Sequence, residues 1–135
     1  MLNLTRVYWT LIILLFLIGC AKPKQPPLTD NEQQYFSDLR HEFHCGVGRE
    51  VDPRKSVKSG EKGYYLMYLD SIPCDILTRT DSLKHISLVI ANKLHKDVLG
   101  KEFKYPYKEL MVIFICNTGP GSDKRKSFSF DPNEL

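Results

Sequence analysis

Most of the usual marks of a chemistry are missing from this sequence. There is no Cys-x-x-Cys pair, no His-x-x-x-His pair and no His-Glu-x-x-His run, so the paired halves of common zinc sites are absent. No glycine-rich loop ends in Gly-Lys-Ser/Thr, which excludes a standard phosphate loop. There is no large surplus of charge: 19 Lys+Arg stand against 16 Asp+Glu, a net of +3. That balance speaks to solubility and weak surface attraction and does not point to nucleic acid. There is no internal repeat, and no low-complexity stretch beyond a short Pro/Lys segment near the start. No apolar run approaches the roughly 20 residues a membrane-spanning helix needs.

What is present begins with "LIILLFLIGC", Leu11 to Cys20, with the single charge Arg6 ahead of it. A short apolar core after a basic start reads as a secretory signal peptide. It ends on Leu17-Ile18-Gly19-Cys20, which resembles the lipobox of bacterial lipoproteins, Leu-x-Gly/Ala-Cys. The resemblance covers residues 1–20 only, and the mature domain shows no family likeness. It implies that diacylglycerol is attached to the Cys20 thiol, that residues 1–19 are removed, and that the new amino terminus gains another chain. One acyl chain anchors marginally and two or more anchor stably. Residues 20–28 then read as the lipidated cysteine and a tether, in which Pro23, Pro26 and Pro27 favour extended backbone. Lys22 and Lys24 suit anionic headgroups. In enteric-type lipoproteins an Asp after the lipidated Cys favours the inner membrane. Ala21 stands there, so the resemblance favours the periplasmic face of the outer membrane.

Residues 29–135 suit one domain that can bury a core of its own. An exported chain can form disulfides. Cys45, Cys74 and Cys116 allow one internal pair and one spare thiol. Cys45–Cys74 is the preferred pair, because both lie at element ends, and Cys116 then ends an apolar strand as a buried thiol.

Hydrophobic spacing predicts an α+β fold in the order α-β-β-α-β-β, with a mostly antiparallel sheet covered by helices. Thr29 and Glu32 have capping-box spacing and open a helix over 30–45, stopped by Gly46 and Gly48. Residues 53–58 read as a polar edge strand, followed by a turn through Gly60 and Gly63. Tyr64 to Ile72 reads as a strand with two apolar faces, which suits helix cover on at least one of them. Thr80 or Asp81 caps a second helix with a stripe of Leu83, Ile86, Val89, Ile90, Leu94 and Val98, closed by Gly100. Leu110 to Cys116 is a buried strand. Asn117 to Lys126 is a turn-rich loop, and "SFSF" is a last strand with Phe128 and Phe130 on one face.

Few residues suggest a site. His41, His44 and Cys45 share one helix face, and Cys74 or Cys116 could complete a tetrahedral zinc site. Two histidines near a helix C-terminus are also favoured there simply as cations. A thiol enzyme needs a lowered cysteine pKa. Asp75 beside Cys74 and the helix C-terminus beside Cys45 both oppose that. Asp70, Asp75 and Asp81 surround a strand-to-helix turn, where Asp also serves caps and turns. Gly119-Pro120-Gly121 reads as a wide hairpin turn. Lys124, Arg125 and Lys126 form the candidate surface for an acidic partner.

These observations favour a small, non-enzymatic, membrane-anchored envelope lipoprotein that binds another envelope protein, in an assembly, inhibitor or immunity-type role. No cofactor is implied. The alternatives are an envelope hydrolase or thiol or zinc enzyme built on His41, His44, Cys45 or the aspartates, and a lipid or glycan carrier lined by "GYYLMYLD" and "FKYPYKE". Tyrosine's apolar body and polar tip suit such a lining.

Overall fold

A computed structural model of the chain describes residues 24–52, 63–100 and 102–135. The expected signal peptide, Cys20, the start of the expected tether and the strand expected at 53–58 lie outside the described residues. The first helix, α1, is Asp30–Phe43, and strand β1 follows at once as Gly46–Val51. The expected capping box is made: the Thr29 side chain accepts from the Glu32 amide, and the Glu32 carboxylate from the Thr29 amide. The stop differs from the expectation. His44 in the left-handed conformation (φ 51°, ψ 46°) ends the helix, and Gly46 and Gly48 belong to β1. Both glycines, which break a helix, here pair within a strand.

Strand β2 is Tyr64–Asp70. Ser71, at φ 63°, turns the chain before the expected end at Ile72. A 3-10 turn, Cys74–Thr78, leads into helix α2, Thr80–Lys93. Neither Thr80 nor Asp81 caps α2: Arg79 occupies the cap position and makes no side-chain cap bond. Leu83, Ile90, Leu94 and Val98 face the core as expected, but Val89 is 55% exposed, so the apolar stripe is narrower than its sequence pattern. After Lys93 the helix widens into a π-helical turn, Leu94–Leu99, where the Gly100 amide donates to the His95 carbonyl at 3.3 Å. That widening buries Leu94, Val98 and Leu99 together and sets His95 Nδ1 2.7 Å from the Tyr107 hydroxyl. Gly100 ends the turn at φ 49°.

Strands β3, Glu109–Gly119, and β4, Ser122–Phe130, form a hairpin. The loop expected from Asn117 to Lys126 is therefore mostly strand, and the turn is Gly119-Pro120-Gly121 with a register shift at Asn117/Gly119. The sheet runs β1-β2-β3-β4. Its outer pairings are antiparallel and its central pairing, β2 with β3, is parallel. The two outer pairs make the α+β sheet mostly antiparallel. The central pair is parallel because the chain crosses back through α2, the connection that parallel neighbours require.

Both helices pack on one face. Tyr35, Phe36, Leu39, Leu83, Ile90 and Leu94 meet Tyr65, Met67, Leu69, Leu110, Val112 and Phe114 in a single core. Tyr65 is fully buried, with Phe103 at 5.5 Å and Tyr107 at 5.9 Å between ring centroids. These aromatic residues fill the space between helix and sheet. No helix among the described residues is long and apolar enough to cross a membrane.

The disulfide is Cys74–Cys116, with Cα atoms 5.2 Å apart, and Cys45 is the free thiol. This corrects the expected Cys45–Cys74 pair. The Ile72 amide donates to the Ile115 carbonyl at 3.1 Å, so the segment after β2 runs against the end of β3 and delivers Cys74 to Cys116. Cys45 stays at the start of β1, on the other side of β2.

Candidate functional site

Successive strand residues point to opposite faces of a sheet. The register puts Val47, Tyr65, Met67, Leu69, Val112, Phe114 and Phe128 on the helix-covered face. It puts Gly46, Gly48 and Glu50, then Leu66, Tyr68 and Asp70, then Met111, Ile113 and Ile115, then Arg125, Ser127 and Ser129 on the other. Among the described residues, a shallow depression of about 320 Å³ on that second face is lined by Glu50, Leu66, Tyr68, Asp70, Ile113, Ile115 and Arg125, all of them strand residues. Its centre is an apolar stripe on the two middle strands, shouldered by small residues on the two outer ones. A Cβ at Gly48 would meet the Tyr68 ring and hydroxyl, so a side chain there would displace the ring from its present place. The tyrosine ring therefore lies across the glycine, as aromatics do over strand glycines.

The rim is acidic. Asp123 holds Arg125 at 2.9 and 3.0 Å. Glu50 accepts from the Tyr64 hydroxyl at 3.2 Å, Asp70 from the Ser71 amide at 2.7 Å, and Glu109 from the Ser129 hydroxyl at 2.6 Å. None of these three carboxylates has a cationic partner among the described residues. An apolar stripe inside a charged rim is the anatomy of a protein-binding surface.

A second cluster lies under the helix layer, at the end of the sheet where β1 finishes and β2 begins. Glu32 is fully buried and Arg49 is 8% exposed. Arg49 donates to Glu32 at 2.8 and 3.4 Å and to the carbonyls of Pro26 and Pro27 at 3.2 and 3.1 Å. Tyr65 donates to Glu32 at 2.7 Å, and the Thr29 amide does so at 2.7 Å. Every buried side-chain polar atom among the described residues is satisfied. Burial pushes the Glu32 carboxyl up. Hydrogen bonds from Arg49, Thr29 and Tyr65, with the Arg49 charge, more than reverse it and hold its pKa below the ordinary carboxylate value. The Tyr65 phenol is pushed strongly up by burial and by Glu32. The Gln25 side chain completes the fastening, accepting from the Val51 amide at 2.8 Å and donating to its carbonyl at 3.2 Å. Gln25, Pro26 and Pro27 are thus bonded to β1.

The residues singled out from sequence lie elsewhere. His41 and His44 are exposed at the end of α1, their rings 6.5 Å apart. Cys45 follows them, with its thiol pKa raised by burial and by Asp70 against the opposing charge of Arg40. Cys74 and Cys116 are joined to each other and supply no zinc ligand. No group of three or more His, Cys, Asp or Glu is placed to hold a metal ion among the described residues. Asp75 sits in the 3-10 turn and Asp81 in the first turn of α2. The basic triplet divides by strand alternation. Arg125 lies on the open face, whereas Lys126 turns to the helix side, bonding the Thr80 hydroxyl and the Leu77 carbonyl. Lys124 is exposed on that same side.

Sequence reasoning missed both the open face and the tether clamp. The signal for the face was in "KSFSF": Ser127 and Ser129 alternate with Phe128 and Phe130, so one side of β4 is polar and unpacked. Arg49 offered no such signal, because nothing local says that it is buried. No protein-family model, curated protein or solved structure matches the chain.

Proposed function

We propose that the chain is a small lipid-anchored envelope lipoprotein that acts by binding another protein, without catalysis, through the open face of its sheet. The open face carries this reading: half-buried Leu66, Tyr68, Met111 and Ile113, with buried Ile115 at their end, form one apolar stripe that no helix among the described residues covers. The lipobox-like Leu17-Ile18-Gly19-Cys20 supports the anchor, and the signal peptide supports export to the envelope. The clamp on Pro26 and Pro27 supports a domain held close to its anchor, because few residues separate Cys20 from Gln25. The periplasmic face of the outer membrane is the location the Ala21 position favours. Attachment at a surface raises the local concentration of the domain for a partner in the same layer.

A photo-crosslinking residue at Ile113 of the full-length chain, expressed in its own envelope, is expected to give a protein adduct. The same residue at Asp38, on the exposed side of α1, is expected to give none. Absence of any adduct at Ile113 refutes the open-face reading. Independently, Cys20→Ala is expected to abolish incorporation of a labelled fatty acid, and a mutant that still takes up label refutes the anchor.

A further inference from the structure

We infer that the occupant of the open face is a cationic amphipathic helix of a partner protein, laid along the strands. This inference rests on the open-face reading and names the chemistry of what binds there. The shape comes first. The apolar stripe occupies two neighbouring strands, β2 and β3. Strands lie about 4.8 Å apart, so the stripe is about 10 Å wide, close to the diameter of one helix with its side chains. The outer strands present Gly46, Gly48, Ser127 and Ser129 on this face. Gly46, Ser127 and Ser129 are low beside the stripe, and the Tyr68 ring laid over Gly48 widens it toward β1. A face about seven residues long spans roughly 23 Å, which matches a helix of about 15 residues at 1.5 Å per residue. Helix-on-sheet is also how the opposite face is already covered. The occupant completes a three-layer arrangement in which both faces of the sheet are packed.

Charge then sets the helix's composition. Among the described strand residues the face presents Glu50, Asp70, Glu109 and Asp123 against Arg125. Arg125 is matched by Asp123, so three carboxylates around the stripe have no cationic partner among the described residues. Glu50 and Asp70 stand along one side, and Glu109 stands at the end where β3 begins. A helix with leucine-like residues at i, i+3, i+4 and i+7 and Lys or Arg beside them meets both features. A second copy of this chain does not, because face-to-face pairing doubles an acidic rim, and like-charge juxtaposition opposes association.

The test uses the full-length lipidated chain in nanodiscs of zwitterionic lipid and three fluorescent peptides of about 15 residues. One has a leucine face flanked by lysine, one has the same face flanked by glutamate, and one scrambles the first. Anisotropy is expected to show the lysine-flanked peptide binding about tenfold or more tighter than the other two, with the advantage shrinking as salt is raised. In the triple variant Glu50→Lys, Asp70→Lys, Glu109→Lys the preference should invert toward the glutamate-flanked peptide, an outcome that a merely misfolded variant cannot give. Equal binding of the scrambled peptide, or no inversion in the triple variant, overturns the inference. An Ile113 adduct with a partner lacking such a helix, or with a second copy of this chain, also overturns it and leaves the open-face reading standing. Absence of any adduct at Ile113 removes both.

Discussion

Replacing Glu32 with alanine tests whether the buried cluster organises this fold. The carboxylate takes hydrogen bonds from Arg49 at 2.8 and 3.4 Å, from Tyr65 at 2.7 Å and from the Thr29 amide at 2.7 Å. Alanine removes all of them. It leaves the Arg49 side chain, 2% exposed, with only the Pro26 and Pro27 carbonyls, and it strands a tyrosine hydroxyl in the core. Breaking a buried ion pair from one side costs about 3–5 kcal/mol. Domains of this size hold roughly 5–15 kcal/mol in total. The variant should therefore lose a large share of its stability, with a thermal midpoint lower by about 12 °C or more. The double variant Glu32→Leu, Arg49→Met should lose less than Glu32→Ala alone, because it buries no unpaired charge. The pH profile gives a second reading. The folded-state pKa of Glu32 lies below its ordinary value, so its contribution is complete above the unfolded carboxylate pKa of about 4.3. It is lost as pH falls through the folded value. Thermal unfolding of the chain from residue 21 onward should show that acid loss in the parent and a flatter profile in Glu32→Ala. A loss below about 1 kcal/mol in Glu32→Ala, or an unchanged acid profile, refutes the clamp as an energetic centre.

Thiol alkylation of the same chain without reduction should modify one cysteine, Cys45, and reduction should raise the count to three; a Cys45-containing disulfide in the peptide map contradicts the pairing. Opening the Cys74–Cys116 link, which spans 42 residues of sequence, should cost about 4 kcal/mol in the chain-entropy model. Charge reversal should distinguish the lysines of β4. Lys124→Glu should leave the thermal midpoint nearly unchanged, whereas Lys126→Glu should lower stability by about 1 kcal/mol, because Lys126 bonds the Leu77 carbonyl and the Thr80 hydroxyl at the start of α2. Equal effects of the two contradict that assignment.

What could be read in advance was local. The α1 capping box, the β2 run, the second helix and the β3 run all follow from local spacings, whereas the two apolar faces of β2 suggest cover on both, and one of them alternates as half-buried. The errors arose where a residue's role is set by distant neighbours. Gly46 and Gly48 are ambiguous alone, and become strand residues only because Asp70 and Tyr68 lie opposite them. The Cys74–Cys116 pair depends on the path of the chain after β2, which no local pattern encodes. Lys124, Arg125 and Lys126 look like one patch in sequence and are divided by the pleat. The parallel centre of the sheet follows once α2 is taken as a crossover.

The Gln25 amide has a consequence for self-assembly. The Asp52 amide bonds inward to the Tyr64 carbonyl, so the odd-numbered residues of β1 turn their backbone groups outward. Gln25 occupies both groups of Val51, and Arg40 donates to the Val47 carbonyl at 3.4 Å. Three of the six outward backbone groups of Val47, Arg49 and Val51 are thus taken by the chain's own side chains. Open-ended growth of a sheet requires two receptive edges per subunit. An incoming strand must break these bonds before it can pair along β1, so the chain's own side chains oppose sheet growth between molecules at that edge.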